Sequence, residues 1–352
     1  MKRIFPISLT LTGLLTASVV TFIALALIGV KQAVAHTYHS HKPVKPVTMT
    51  AAQMSELVNQ STHPDFNEQE LAPVMATLKT LAEAERITHQ ERLVYARLLQ
   101  HQHNFAAALK ELDTLLTERP NQPAALLLRA NVQLNQGEPA LARQTCLQLM
   151  GTTSELVMAT CLLEATMQLS PSTQYYSQLL NISEKFPAAS KDVALWVNEV
   201  LADLALFAGE PAIAISHIEQ QPDSEWPISS WVAWSKAKLA LQQGEDILAR
   251  LSPKIANNPA PNDSALLYLA LAEQQTGAGE KWTTEMAERV LVREQRGDTT
   301  HAAEVALYYL HLAAEPQQAL HWANINWQQA KSFNDEQLLS KIRRLTGSAI
   351  DG

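Results

Sequence analysis

The sequence predicts an all-α protein built from helix pairs that stack in series. Glycine is scarce, at 11 of 352 residues, while alanine and leucine dominate the composition. Alternating runs of β-branched residues, which are typical of strands, are hard to find. Small and apolar positions also recur at a fixed spacing along part of the chain. Together these observations favour an elongated array of helices, known as an α-solenoid.

The repeat is clearest between Glu91 and Met150. Four positions there return 34 residues later, two of them occupied by alanine in both copies. The matched positions are Ala96, Ala108, Leu112 and Leu115, which recur as Ala130, Ala142, Cys146 and Leu149. A small residue inside each helix lets two helices approach closely at the same places in every unit. The spacing predicts one unit over residues 89–122 and a second over residues 123–156.

Helical segments are predicted from Ala51 to about residue 346, and this range is the expected repeat domain. A helix over residues 69–84 has Pro73 in its first turn, where proline is tolerated. Longer helices are predicted over residues 191–207 and 228–242, and residues 223–227 interrupt the period.

One turn sequence occurs twice. Residues 137–142 read Gly-Glu-Pro-Ala-Leu-Ala, and residues 209–214 read Gly-Glu-Pro-Ala-Ile-Ala. Residues 314–320 are a fainter copy. Glycine ends one helix and proline starts the next, so each copy predicts the turn inside a helix pair.

These residues resemble the tetratricopeptide repeat family over about residues 88–156, and more loosely up to about residue 345. The resemblance implies a right-handed superhelix whose first helices line a concave groove for an extended peptide or a partner helix. Gln133 departs from the pattern, since the family usually has a large apolar or aromatic residue there.

The resemblance also implies which side chains face the groove. The polar candidates for partner binding are Gln90, Arg97, Gln100, His101, Asn131 and Asn135. Asn131 matches a position that hydrogen-bonds the ligand backbone in peptide-binding relatives. Leu93 and Leu127 stand where relatives that clamp a carboxylate have lysine, so that mode is not expected. The alternative is that these side chains form solvated helix faces.

The N-terminus predicts a segment that enters or crosses a membrane. Lys2 and Arg3 precede an uncharged stretch over residues 7–30. At about 1.5 Å per residue this stretch is long enough to span a bilayer. Ala33-Val34-Ala35 is a small-x-small cleavage site, so residues 1–35 are either a signal peptide or an uncleaved anchor. Both alternatives place the body outside the cytoplasm, most simply in a bacterial periplasm.

Residues 36–50 are predicted to be a flexible linker, since they contain two prolines and no apolar periodicity. His36, His39 and His41 in this segment are weak candidates for binding copper, nickel or zinc. The alternative is a polar linker whose histidines have no special role. No metal or cofactor site is predicted elsewhere.

Cys146 and Cys161 are the only cysteines. They are expected on neighbouring antiparallel helices in an oxidising compartment, where a disulfide can form. Closing a loop of about 15 residues would contribute roughly 3 kcal/mol. Two buried thiols that serve as small apolar side chains are the alternative.

All seven tryptophans lie in the C-terminal half of the chain. Trp231 and Trp234 share a helical face. They form either an aromatic platform for a partner or part of the core between long helices.

The function expected from these features is non-catalytic. A net charge of −8 without clustered Lys and Arg argues against nucleic acid as a partner. No nucleophile elbow, phosphate loop or zinc-protease motif occurs. The sequence therefore predicts an interaction scaffold or chaperone-like adaptor that binds envelope proteins or peptides. A metal-delivery protein that uses the three linker histidines and a self-assembling structural protein are the alternatives.

Overall fold

The computed structural model describes residues 47–347, and this part of the chain contains helices and no strand. The predicted all-α class is confirmed. The seventeen α-helices of the described range are α1 (Ala51–Gln60), α2 (Leu71–Glu83), α3 (His89–His101), α4 (Phe105–Glu118), α5 (Pro123–Asn135), α6 (Pro139–Leu147), α7 (Glu155–Leu169), α8 (Gln174–Lys185), α9 (Lys191–Phe207), α10 (Pro211–Ile218), α11 (Ile228–Ala240), α12 (Gly244–Ile255), α13 (Asp263–Thr276), α14 (Lys281–Arg296), α15 (Ala302–His311), α16 (Pro316–Gln329) and α17 (Phe333–Thr346). Short 3-10 turns precede α2 and α11.

The helices form eight consecutive pairs within the described residues, and α17 follows the last pair. Each second helix of a pair contacts its own first helix and the first helix of the next pair. Consecutive first helices also contact one another, from α1 through α3, α5 and onward to α17. We call these odd-numbered helices the first-helix layer. This arrangement is a solenoid of stacked pairs, as the repeat predicted.

Several predicted boundaries coincide with observed ones. The two predicted units begin at His89 and Pro123, where α3 and α5 begin. Helix α9 spans the predicted residues 191–207. Helix α11 ends two residues before the predicted position, because Gln242 has a positive φ of 59° that stops the helix.

The N-terminal core is formed mainly by α1–α7, and buried alanines lie among its larger apolar side chains. Ala96 and Ala108 are fully buried, as is Ala142, and Ala130 is only 2% exposed. Val47 and Met49 pack against this core, and the Val47 N–H donates to Thr77 Oγ1 over 3.0 Å. The last residues of the predicted linker therefore lie on the helical body.

The C-terminal core is centred on three tryptophans, Trp226, Trp231 and Trp234, which are 0–1% exposed. Their ring centroids lie 4.8–5.7 Å apart. The guanidinium carbon of Arg250 lies 4.8 Å from the ring centroids of Trp226 and Trp234. Trp231 and Trp234 are thus core residues, and the alternative of an exposed aromatic platform is wrong.

A disulfide joins Cys146 on α6 to Cys161 on α7, with the Cα atoms 5.7 Å apart. Both residues are buried in the N-terminal core. The structure therefore has the bonded form rather than the pair of buried thiols. The bond connects a second helix to the first helix of the next pair.

Residues far apart in sequence meet where the last pairs return to the first ones. The Ile228 N–H donates to the Thr62 carbonyl over 2.6 Å, and Asn258 Nδ2 donates to the Phe66 carbonyl over 3.0 Å. The His103 and His301 rings lie 5.3 Å apart. Neighbour-to-neighbour stacking predicts none of these contacts.

No helix within residues 47–347 is both long and apolar enough to cross a bilayer. The predicted leader, residues 1–35, lies outside the described residues, as does the linker up to residue 46.

Candidate interaction surface

The first-helix layer carries the polar side chains that the resemblance placed in a groove. Gln90 and Arg97 of α3 line a cavity of about 260 Å³ together with residues of α1. Arg97 Nη1 donates to Asn59 Oδ1 over 2.8 Å, which fixes the guanidinium against α1. Burial lowers the pKa of Arg97 from its usual value. Arg97 is therefore partly engaged within the protein.

A row of amides connects α3 to α5. Gln100 Nε2 donates to Asn131 Oδ1 over 3.3 Å, and Asn135 Nδ2 donates to the same oxygen over 3.2 Å. An amide oxygen has two lone pairs, so this one is saturated. Asn131 is exposed, and its Nδ2 has no partner within residues 47–347. It is thus able to donate to the carbonyl of a bound peptide.

A central cavity of about 410 Å³ lies between the N-terminal pairs and the last ones. Gln100, His101 and Asn135 line it from the N-terminal side, and the opposite side carries residues such as Ser264 and Glu304. Three of the predicted groove residues therefore meet side chains from much later helices. The sequence gives no local signal for this meeting, because it depends on how the whole stack curves.

The pKa values of His101 and His103, at and just after the end of α3, are lowered in this cavity. Burial lowers the pKa of His101 and of His103, and the neighbouring His301 lowers both further. Both histidines line the central cavity.

A third cavity, of about 300 Å³, is lined by charged residues that the repeat pattern does not predict. Glu164 of α7, Asp203 of α9 and Lys236 of α11 line it, so each comes from a different first helix. Its apolar wall includes Met167, Leu204 and Phe207, and the start of α17 contributes Phe333, Asn334 and Gln337. A recognisable signal exists for two of these charges. Glu164 and Asp203 are isolated acidic residues within otherwise apolar stretches of their helices.

The surrounding helices alter the acidity of these groups. Burial, followed by the nearby charges of Asp203 and Glu199, raises the pKa of Glu164 to about 7. Asp203 is open to solvent in the cavity, yet burial among the neighbouring helices raises its pKa, and Lys236 opposes this effect. Among the described residues, neither Asp203 nor Lys236 has a hydrogen bond or an ion pair within 4 Å, although each charge acts on the other at longer range. The two charges therefore face the cavity without direct partners.

The described residues contain no group of three or more His, Cys, Asp or Glu side chains arranged to hold a metal ion. The weak metal candidates His36, His39 and His41 lie outside the described range.

Comparison with known proteins gives only distant likenesses. No known protein family matches the chain, and no curated protein matches it. Solved structures that are similar include the APC/C hetero-tetramer Cut9-Hcn1, with 14% identity and a TM-score of 0.41 over 83% of this chain and 48% of that chain. The chain thus spans about half the length of that structure's chain.

Two other similar structures are described as tetratricopeptide repeat proteins. One is from Parabacteroides merdae, with 11% identity and a TM-score of 0.37 over 83% of this chain and 99% of that one. The other is the C-terminal part of a protein from Cytophaga hutchinsonii, with 14% identity and a TM-score of 0.34 over 70% of this chain and 99% of that one. At TM-scores below 0.5, none of these likenesses carries a functional assignment.

Proposed function

We propose that this chain is a non-catalytic interaction scaffold that binds a segment of a partner protein along the first-helix layer. The observation that carries the proposal is the cavity between α7, α9 and α11. It combines an apolar wall with the unpaired charges of Asp203 and Lys236. Charges held beside an apolar surface without direct partners suit a ligand that supplies both apolar contact and hydrogen bonds.

The polar row on α3 and α5 supports the same proposal. The Asn131 amide has free donors, and an extended partner offers backbone carbonyls to accept them. Apolar contacts would supply most of the affinity, while such amide groups would fix the register of the bound segment.

We further propose that the scaffold works outside the cytoplasm, in a bacterial periplasm, either tethered by its N-terminal segment or released from it. The disulfide between Cys146 and Cys161 supports this placement, since such bonds persist mainly in oxidising compartments. Other envelope proteins or peptides are the partners that this location offers. Recovery of the full chain with two free thiols from the cytoplasm of intact cells would contradict the placement.

Site-directed crosslinking tests the binding surface. A photoreactive amino acid at position 168, which lines the cavity, should crosslink a discrete partner in cells that express the full chain. The same group at position 110, on the exposed side of α4, is the matched control. Lys236→Glu should reduce the crosslink from position 168, whereas Lys110→Glu should leave it unchanged. Equal crosslinking from both positions would rule out the cavity as the binding surface.

A further inference from the structure

Residues 330–333 lie against the first-helix layer of a distant part of the chain. The Lys331 N–H donates to the Asn135 carbonyl at the end of α5 over 2.7 Å. Ala330 is 8% exposed and belongs to the N-terminal core. The Phe333 ring packs edge-on against Phe207 at the end of α9, with the centroids 5.7 Å apart. One short segment thus contacts both α5 and α9.

The backbone of this segment resembles that of a bound peptide. Ala330 has φ −132° and ψ 133°, and Ser332 has φ −66° and ψ 166°, so both residues are extended. Helix α17 begins immediately afterwards, and the Ser332 side chain caps it in a reciprocal arrangement with Asp335. The segment therefore presents the Lys331 backbone donor between two extended residues, and the aromatic side chain of Phe333 follows on the first residue of the helix.

Lys331 packs closely against the turn between α5 and α6, and it does so at a glycine, Gly137. A Cβ built at Gly137 would lie 2.8 Å from the Lys331 Cβ and 3.2 Å from the Lys331 carbonyl oxygen. Gly209 occupies the same place in the second Gly-Glu-Pro turn and has a similar φ, 78° against 75°, but nothing lies within 4 Å of its Cβ position. Of these two turns, only the one at Gly137 has a distant segment of the chain packed where a side chain would be.

We propose that the surface between α5 and α9 is a docking site for an extended partner segment, and that residues 330–333 occupy it in cis. The matching partner segment has a small residue, a free backbone N–H at the next position and an aromatic residue three positions after the small one. The Asn135 carbonyl accepts the N–H, and Phe207 receives the aromatic ring.

This inference rests on the proposed function in that it names the kind of segment that the first-helix layer binds. A partner in trans has to displace the cis segment. Its apparent dissociation constant is therefore the intrinsic dissociation constant divided by the fraction of molecules in which the site is open.

The test uses the full chain and a fluorescent synthetic peptide that covers residues 329–338. Phe333→Ala in the full chain removes the aromatic ring of the cis segment and should bind the peptide about tenfold more tightly than the parent chain, because the site is then open in more molecules. Adding Gly137→Ala to Phe333→Ala places a Cβ where Lys331 of the peptide has to approach, so this double variant should lose the gain. Adding Gly209→Ala instead carries the same positive-φ strain without the contact, so that double variant should keep the gain. A peptide that carries Phe333→Ala should bind each of these chains more weakly than the unsubstituted peptide does.

Hydrogen exchange covers the case in which the double variant with Gly137→Ala fails to fold. The backbone amides of residues 331–333 should exchange faster in Phe333→Ala than in the parent chain. Unchanged exchange would show that the segment stays in place and would overturn the docking site.

Equal peptide affinity for the Phe333→Ala chain and the parent chain would overturn the docking site, as would equal affinity for the two double variants or a lack of binding to all of them. The experiments distinguish failure of the docking site from failure of the proposed function. Peptide binding without a cellular crosslink from position 168 would remove the proposed function and leave the docking site intact. A crosslink from position 168 without peptide binding would remove the docking site and leave the proposed function intact.

Discussion

The N-terminal and C-terminal cores build the same stack of helix pairs, and both contain buried alanines, but only the C-terminal core also encloses buried tryptophans. In the N-terminal core, alanines at matching positions let the helices approach closely. In the C-terminal core, three tryptophans fill the space between α10, α11 and α12. The same arrangement of helix pairs thus accommodates both close alanine contacts and a cluster of large rings, provided that the interior is filled. The alanine contacts should respond most to added volume, and the tryptophan cluster should respond most to lost volume.

The largest effect is expected in the C-terminal core. Trp234→Ala removes a fully buried ring and its hydrogen bond from Nε1 to Glu219 Oε1, which spans 3.0 Å. The free energy of unfolding should fall by about 3–5 kcal/mol, as for other buried aromatic truncations. Urea unfolding followed by circular dichroism measures the change. Trp327→Ala on α16, where the ring is only partly buried, is the control and should cost less. A loss for Trp234→Ala no greater than the control's would contradict the comparison.

The N-terminal core should respond in the opposite way, to enlargement. Ala130→Leu inserts three carbon atoms at a close helix contact and should destabilise the fold by about 1–3 kcal/mol. Ala140→Leu places the same side chain on the exposed face of α6, so its effect should be close to zero. Urea unfolding of the two variants isolates the packing cost. If both variants were equally stable, the alanine positions would not set the helix spacing.

A third effect lies on the first-helix layer at α7, and it depends on pH. The pKa of Glu164 rises from its reference value of 4.5 to about 7 in the folded protein. Between these values the folded state binds more protons than the unfolded state, so the free energy of unfolding decreases as the pH rises through this window. Glu164→Gln removes this titration and should be more stable than the parent chain above pH 7, with a smaller advantage below pH 4.5.

Thermal unfolding of Glu164→Gln and the parent chain across this pH range measures the difference. Glu245→Gln on the exposed face of α12 is the matched control. A stability difference for Glu164→Gln that does not vary with pH would show that Glu164 is not held in a desolvated position.

The contrast between the cores explains how much of the fold the sequence predicts. Small residues at a close contact tolerate few replacements, so Ala96 and Ala130 keep a readable spacing and reveal the helix pairs. Tryptophan positions such as Trp226 and Trp234 fill irregular space and follow no period. The resemblance to a repeat family is accordingly clear over residues 88–156 and weak beyond them. Helix boundaries such as those of α9 were still predictable, because capping residues and apolar periodicity act locally.

The candidate surface was less predictable than the fold. The positions on α3 and α5 were recognised, since they follow from the face that a first helix presents. The contacts of Lys331 with Asn135 and of His103 with His301 were not, because they depend on small rotations that add up over many pairs. Asp203 and Lys236 become neighbours for the same reason: their separate helices are brought together only by stacking.

The bond between Cys146 and Cys161 also has a topological consequence. It encloses the loop that connects α6 to α7, and this loop contains the exposed residue Met150. A single proteolytic cut in the loop would leave two polypeptides that travel as one molecule until a reductant separates them. The disulfide would keep the effective concentration of the two parts high, so a cut at this position would not let the helix pairs dissociate.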